Sequence, residues 1–228
     1  MTRSTNARIA GFTFLFYTAV GSTLHFLMNR ATNAEGTAAT LALIAQRASD
    51  VRVSVVLSLL ETFSALVLAV TLYGITRDQD HELAMLALVC RVCEGVIGAT
   101  IGVALKLGLL WLATASGPGA PDVVTVRALA TYLLMPVPSI PIGTIFFAVG
   151  STLFSYLLLR GRMVPAPLAG FGVLASGLLV MVLPFQLAGF VMGAWYLWIP
   201  MAVFQVALAL WLLIKGVASV ATTSRAPS

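Results

Sequence analysis

The sequence predicts an all-α fold, a polytopic transmembrane helical bundle of about six spans with short interfacial helices between them. Three observations carry that expectation. Only 9% of the 228 residues are charged, against about 25% in ordinary globular proteins. Apolar residues make up 60% of the chain, and its mean hydropathy is +1.01. The apolar residues gather in runs of about 20, the length a helix needs to cross a hydrocarbon core. A single integral membrane domain over residues 1–228 accounts for the composition, with no soluble appendage expected.

The first run, Ile9 to Met28, follows Arg3 and Arg8 and in that respect looks like a secretory leader. It exceeds the roughly 7–15 residues of a leader's apolar region, and Arg30 closes it without a small-x-small cleavage site. It is therefore expected to remain as the first span, over 9–28. Further spans are expected over 53–76, 83–105, 139–159, 166–187 and 194–214. Between the first two, Thr37 to Gln46 reads as a short helix near the interface. The third run continues past Lys106 as Leu107 to Thr114, so its helix should project beyond the hydrocarbon until Gly117-Pro-Gly119 breaks it. Asp122 stands where it can cap the run Val123 to Met135. That run contains Arg127 and is short for a span, so it reads as interfacial or re-entrant; counting it would give seven spans.

Lysine and arginine set the orientation. With an even number of spans, Arg3, Arg8, Arg77, Arg160, Arg162, Lys215 and Arg225 fall on the side of the termini, and Arg30, Arg47, Arg52 and Arg127 on the other. Seven against four places both termini in the cytoplasm. Trp195, Tyr196 and Trp198 then cluster at the outer start of the last span, with Trp211 near its inner end. The basic residues are scattered singly and flank apolar runs, which is not the pattern of a phosphate-binding face, so no nucleic acid is expected. Small residues recur four apart at Gly98/Gly102, Ser151/Ser155 and Gly189/Gly193, a spacing expected to pack helices closely.

Three charges lie at bilayer depth: Glu61 in the second span, Arg91 and Glu94 in the third. Each costs about 2.5–3.5 kcal/mol on insertion scales, so such side chains pair, line a cavity or do chemistry. The short turn at 77–82 makes the second and third spans an antiparallel hairpin. At about 1.5 Å per residue, Glu61 lies about 24 Å from Arg77, and Arg91 and Glu94 about 15 and 20 Å from His81. Arg91 and Glu94 share a helix face, and the five donors of arginine can serve two carboxylates. A network in which Arg91 bridges Glu61 and Glu94 is expected, with His25 of the first span at a similar depth as a fourth member. One reading makes this layer a clamp that fixes helix packing. The other makes it a ligand or ion pathway, because two carboxylates share one guanidinium and like charges and desolvation favour a protonated acid.

Other signals point to structure. Cys90 and Cys93 form a CxxC within a span rather than at an exposed helix start, where a reactive thiolate would lie. Asp78, Asp80, His81 and Glu82 lack the glycine turn and ligand spacing of a calcium loop, so no metal is expected there. Lys106 is placed to snorkel to the outer interface, and Gln205 to hydrogen-bond a neighbour. The sequence contains no phosphate loop, dinucleotide fingerprint, zincin motif or nucleophile elbow, and no cofactor is expected.

Several phrases occur together in order: Ala7-Arg-Ile-Ala-Gly-Phe12, Arg91-Val-Cys-Glu-Gly95, Ile145-Phe-Phe-Ala-Val-Gly150, Ser155-Tyr-Leu-Leu-Leu-Arg160, Leu168-Ala-Gly170 and Leu210-Trp-Leu-Leu-Ile-Lys-Gly216. In these the chain resembles, over nearly its whole length, the bacterial membrane family called domain of unknown function 4386. The resemblance implies a polytopic protein of a bacterial cytoplasmic membrane. It also implies an Arg-x-x-Glu in the third span, matched by Arg91 and Glu94, and an acid in the second, matched by Glu61. It carries no activity. The expected partner is the lipid bilayer, with a small-molecule ligand or proton at the Glu61–Arg91–Glu94 layer. A structural or partner-binding protein is the alternative, and an enzyme is least favoured because no nucleophile, metal or cofactor motif accompanies the acids.

Overall fold

A computed structural model describes residues 2–117, 119–134, 142–191 and 195–218. Six helices are long and apolar enough to cross a membrane. They are α1 (Arg3–Thr32), α3 (Ala48–Thr76), α4 (His81–Thr114), α6 (Gly143–Arg160), α7 (Ala166–Leu187) and α8 (Ile199–Ile214), the last led in by a 3-10 turn, Trp195–Trp198. Two short helices, α2 (Thr37–Gln46) and α5 (Val123–Leu134), complete the helical elements among the described residues. α5 has 12 residues, about 18 Å of rise, well short of a hydrocarbon core of about 30 Å. Six of the described helices are therefore long enough to span, and α5 over its described residues is not. The protein is a polytopic transmembrane helical bundle.

The helices outrun the apolar runs that announce them, because a helix continues until its backbone is capped rather than until its side chains turn polar. Thr2 caps α1, its hydroxyl accepting from the Thr5 N–H at 3.2 Å. Asp80 caps α4 through the Leu83 N–H at 3.1 Å, and Asp122 caps α5 through the N–H groups of Val124 and Thr125, both at 2.9 Å. α4 does run on to Thr114, and Gly117 beyond it takes a positive φ of 97°. The expected span starts at 139 and 194, and Pro118, Met135, Gly193 and Arg225, lie outside the described residues.

The spans close into a ring in the order α1, α3, α4, α6, α7, α8, each packed against the next and α8 returning to α1. The α1–α8 contact brings backbones together, for a Cβ at Gly11 would lie 2.5 Å from the Leu213 nitrogen. One end of the ring carries the start of α1, the end of α8 and the α3–α4 and α6–α7 turns. There Arg3 donates to the Ile75 carbonyl at 2.9 Å, Arg160 to Asp80 at 3.0 Å, and the Ala218 N–H to the Met163 carbonyl at 3.0 Å. Most of the buried apolar side chains form one core among all six spans. A second, smaller core lies at the far end, where α2 and α5 join the extended ends of α1, α3 and α4 around Ala31, Ile44, Val51, Leu109 and Leu110.

Candidate functional site

α4 repeats its small and basic residues at helical spacing: Arg91, Gly95, Gly98, Gly102 and Lys106 follow one another at intervals of three or four. That spacing puts all five on one face. The two basic residues meet different surroundings.

Arg91 is fully enclosed, at 2% exposure. Its Nη1 lies 2.6 Å from Glu94 Oε2, one turn along the same helix. The contact is close but poorly aligned, and both Nη atoms and Glu94 Oε2 complete no hydrogen bond among the described residues. The guanidinium instead lies over two aromatic rings, 4.9 Å from the centroid of Phe147 on α6 and 5.7 Å from that of Tyr17 on α1. Such faces attract a desolvated cation. The Tyr17 hydroxyl donates to Glu94 Oε1 at 3.2 Å, so both carboxylate oxygens are engaged. Gly150 on α6 admits the arginine stem: a Cβ there would lie 3.1 Å from Cγ and Cδ of Arg91 and 3.2 Å from the Ala87 carbonyl. Beside Arg91 is a void of about 20 Å³ bordered by Ser151 and Ser155, the space of a single water.

Glu61 does not join this pair. The expected bridge from Arg91 to both acids is absent among the described residues, where Arg91 pairs with Glu94 alone. The reason is direction. Arg91 lies against α6 and the Tyr17 ring, whereas Glu61 points at α1, where a Cβ at Gly21 would fall 2.6 Å from its Oε1. Its carboxylate takes no hydrogen bond or ion pair from the described residues. It faces a half-open cavity of about 230 Å³ bordered by α1, α3, α4 and α6. Glu94, Lys106, Tyr17, Ser58 and Thr62 also border that cavity.

Lys106 departs from its expected snorkelling position. It is buried, at 8% exposure, and its ammonium donates to Ser58 Oγ at 2.9 Å and to the Gly102 carbonyl at 3.3 Å. Gly98 and Gly102 depart too, for none of the described helices packs over them. A Cβ at Gly98 would meet nothing within 4 Å, and one at Gly102 only the Lys106 ammonium at 3.5 Å. These glycines leave space beside α4; the close approaches of α6 to α4 fall at Gly143 and Gly150.

His25 is exposed and does not border the cavity. Its depth on α1 fits, but each helical residue turns about 100°, and the α1 residues that reach the cavity are Tyr17 and Leu24. Cys90 is buried, and both cysteines are free thiols. The 78–82 turn is occupied by structure: Asp78 pairs with Arg3 at 3.9 Å, and the Tyr73 hydroxyl lies 3.4 Å from His81 Nδ1. The Leu83 N–H, followed by the Arg160 guanidinium, holds the Asp80 carboxyl below its usual range. No group of three or more His, Cys, Asp or Glu side chains able to hold a metal ion occurs among the described residues.

Sequence reasoning singled out Glu61, Arg91 and Glu94 but did not place Tyr17, Ser58 and Lys106 beside them, where they border the same cavity as Glu61 and Glu94. A signal for Lys106 was present in the helical spacing from Arg91 through the glycines. Nothing local in the sequence marks Tyr17 or Ser58, which are brought in by α1 and α3. No curated protein and no solved structure matches the chain. The family model described as Domain of unknown function (DUF4386) matches residues 9–216, most of the chain, and the protein belongs to that family.

Proposed function

We propose that the protein binds or passes a small molecule or a proton in the cavity, with Glu61 as the accepting group. One observation carries this reading: the Glu61 carboxylate faces about 230 Å³ of space with no hydrogen bond or ion pair from the described residues, the Lys106 charge acting on it only from beyond contact distance. An unpaired acid at bilayer depth is costly unless water, a proton or a cationic group meets it. Arg91 and Glu94 take the structural role, because enclosure by Tyr17, Phe147 and Gly150 leaves the guanidinium no room for a ligand. The clamp and the site are thus separate groups on one layer. The setting we propose is a bacterial cytoplasmic membrane with both termini inside, supported by the excess of basic residues at the end that carries the start of α1 and the end of α8.

Native mass spectrometry of protein purified from its own host tests the ligand form. A retained small mass in the wild type that is lost from Glu61→Gln is expected. Labelling with dicyclohexylcarbodiimide followed by peptide mapping tests the proton form, with modification expected at Glu61 and not at Glu94. If no mass depends on Glu61 and Glu61 resists the carbodiimide, the proposal is wrong.

A further inference from the structure

We infer that the ligand of this cavity is a small zwitterion, held by its ammonium at Glu61 and by its acidic oxygens at Lys106. The inference rests on the cavity being a ligand site and adds the chemical class that fits it. Three charged side chains border the cavity: Glu61 from α3 and Glu94 and Lys106 from α4. Glu94 is already neutralised by Arg91. The remaining two carry opposite charges, and no ion pair within 4.0 Å joins them.

Each is also chemically unfinished. Glu61 accepts nothing from the described residues. Lys106, more than nine-tenths buried, gives two of its N–H groups to neutral oxygens of Ser58 and Gly102. An ammonium has three donors, so one takes no partner from the described residues, and among these no carboxylate lies within ion-pair reach. Between the two, Gly98 and Gly102 strip α4 of side chains, and among the described residues the only atom a Cβ at either would meet within 4 Å is the Lys106 ammonium itself. A ligand lying along this bare strip could touch both charges at once. A molecule with a single charge would satisfy one wall and leave the other desolvated, which is costly in a low-dielectric site. The volume suits something small, for about 230 Å³ lies below the roughly 300–1,000 Å³ of drug-sized pockets. An amino acid and the phosphoethanolamine head of a lipid share the required chemistry.

Thermal melting of the full-length protein in detergent separates these cases. The probes are the ω-amino acids from glycine to 6-aminohexanoate, free phosphoethanolamine, and butylamine and butyrate as single-charge controls. Nanodiscs of phosphatidylethanolamine against phosphatidylglycerol supply the lipid arm. Because helices fix the two charges, one chain length should raise Tm most, with apparent affinity about tenfold or more above either control, equivalent to about 1.4 kcal/mol. Glu61→Gln should remove the advantage over butyrate, and Lys106→Met the advantage over butylamine. If only phosphatidylethanolamine nanodiscs stabilise the wild type, the zwitterion is a lipid headgroup and the assignment holds. If butylamine stabilises as well as every amino acid and phosphoethanolamine, the assignment fails while Glu61 stands as a cation site. If no probe or lipid shifts Tm, the assignment also fails, and the carbodiimide result reports separately on the cavity. The wild-type comparison needs no variant to fold.

Discussion

Two basic side chains on one face of α4 have opposite fates, and the contrast divides the molecule into a closed half and an open half. Arg91 lies within the ring of six spans, sealed by Glu94, two aromatic rings and the backbone of Gly150. Lys106, about four turns further along, hydrogen-bonds among the described residues only to Ser58 and Gly102 and borders the cavity. Helix length explains the difference. α4 has 34 residues and α6 only 18, about 51 Å against about 27 Å. α6 starts at Gly143, where a Cβ would lie 3.2 Å from the Glu94 carbonyl and 3.6 Å from the Gly98 nitrogen. It therefore accompanies α4 on the Arg91 side of that level and not on the Lys106 side. A glycine inside the accompanied stretch permits contact, and a glycine at or beyond its edge leaves space.

The strongest way to break this contrast is to remove each basic residue in turn. Arg91→Met should cost about 3–5 kcal/mol, the range for breaking a buried pair and leaving its partner charged. The double variant Arg91→Met/Glu94→Gln should recover much of that loss, because no buried charge is left over. Lys106→Met should cost under about 1.5 kcal/mol, since it deletes bonds to neutral oxygens together with a desolvated charge. Denaturant unfolding in detergent compares the three, and equal losses for Arg91→Met and Lys106→Met would dissolve the division.

Glycines give the next largest effect. Gly150→Val forces atoms into the Arg91 stem and the α4 backbone, and should cost about 1–3 kcal/mol as overpacking does. Gly98→Ala meets nothing within 4 Å and should be neutral or stabilising by up to about 1 kcal/mol, since alanine is the better helix former. A Gly98→Ala variant that melts as low as Gly150→Val would mean that the space beside Gly98 is not open.

The smallest effect is expected at the end that carries the start of α1 and the end of α8. Asp80 has a lowered pKa, held down first by the Leu83 N–H and then by Arg160. A group depressed in the folded state adds stability above its unfolded pKa, about 3.9 for aspartate, and loses it as pH falls through the folded value. Melting should therefore show a slight acid-side loss below about pH 4 that is absent in Asp80→Asn. The same loss in the variant would assign it to other carboxylates.

The line between what was legible and what was not follows these residues closely. Six long apolar helices, the short α2, the long α4 and the caps at Asp80 and Asp122 were all readable, because each depends on local runs, lengths and single side chains. The depths of Glu61, Arg91 and Glu94 were readable from rise per residue. Their partners were not. The bridge from Arg91 to Glu61, the inclusion of His25 and the outward Lys106 each failed on direction about a helix axis rather than on position along it.

The sequence by itself determined that this is a membrane bundle, where its helices run and at what level its charges lie. Hydropathy and backbone hydrogen bonding are local and need no neighbour to be read. The tertiary structure alone decided that Arg91 is sealed, that Glu61 takes no hydrogen bond or ion pair from the described residues and that Lys106 turns inward. Those outcomes depend on which helix covers each face and where that helix begins, and α6 begins at Gly143, far in sequence from all three.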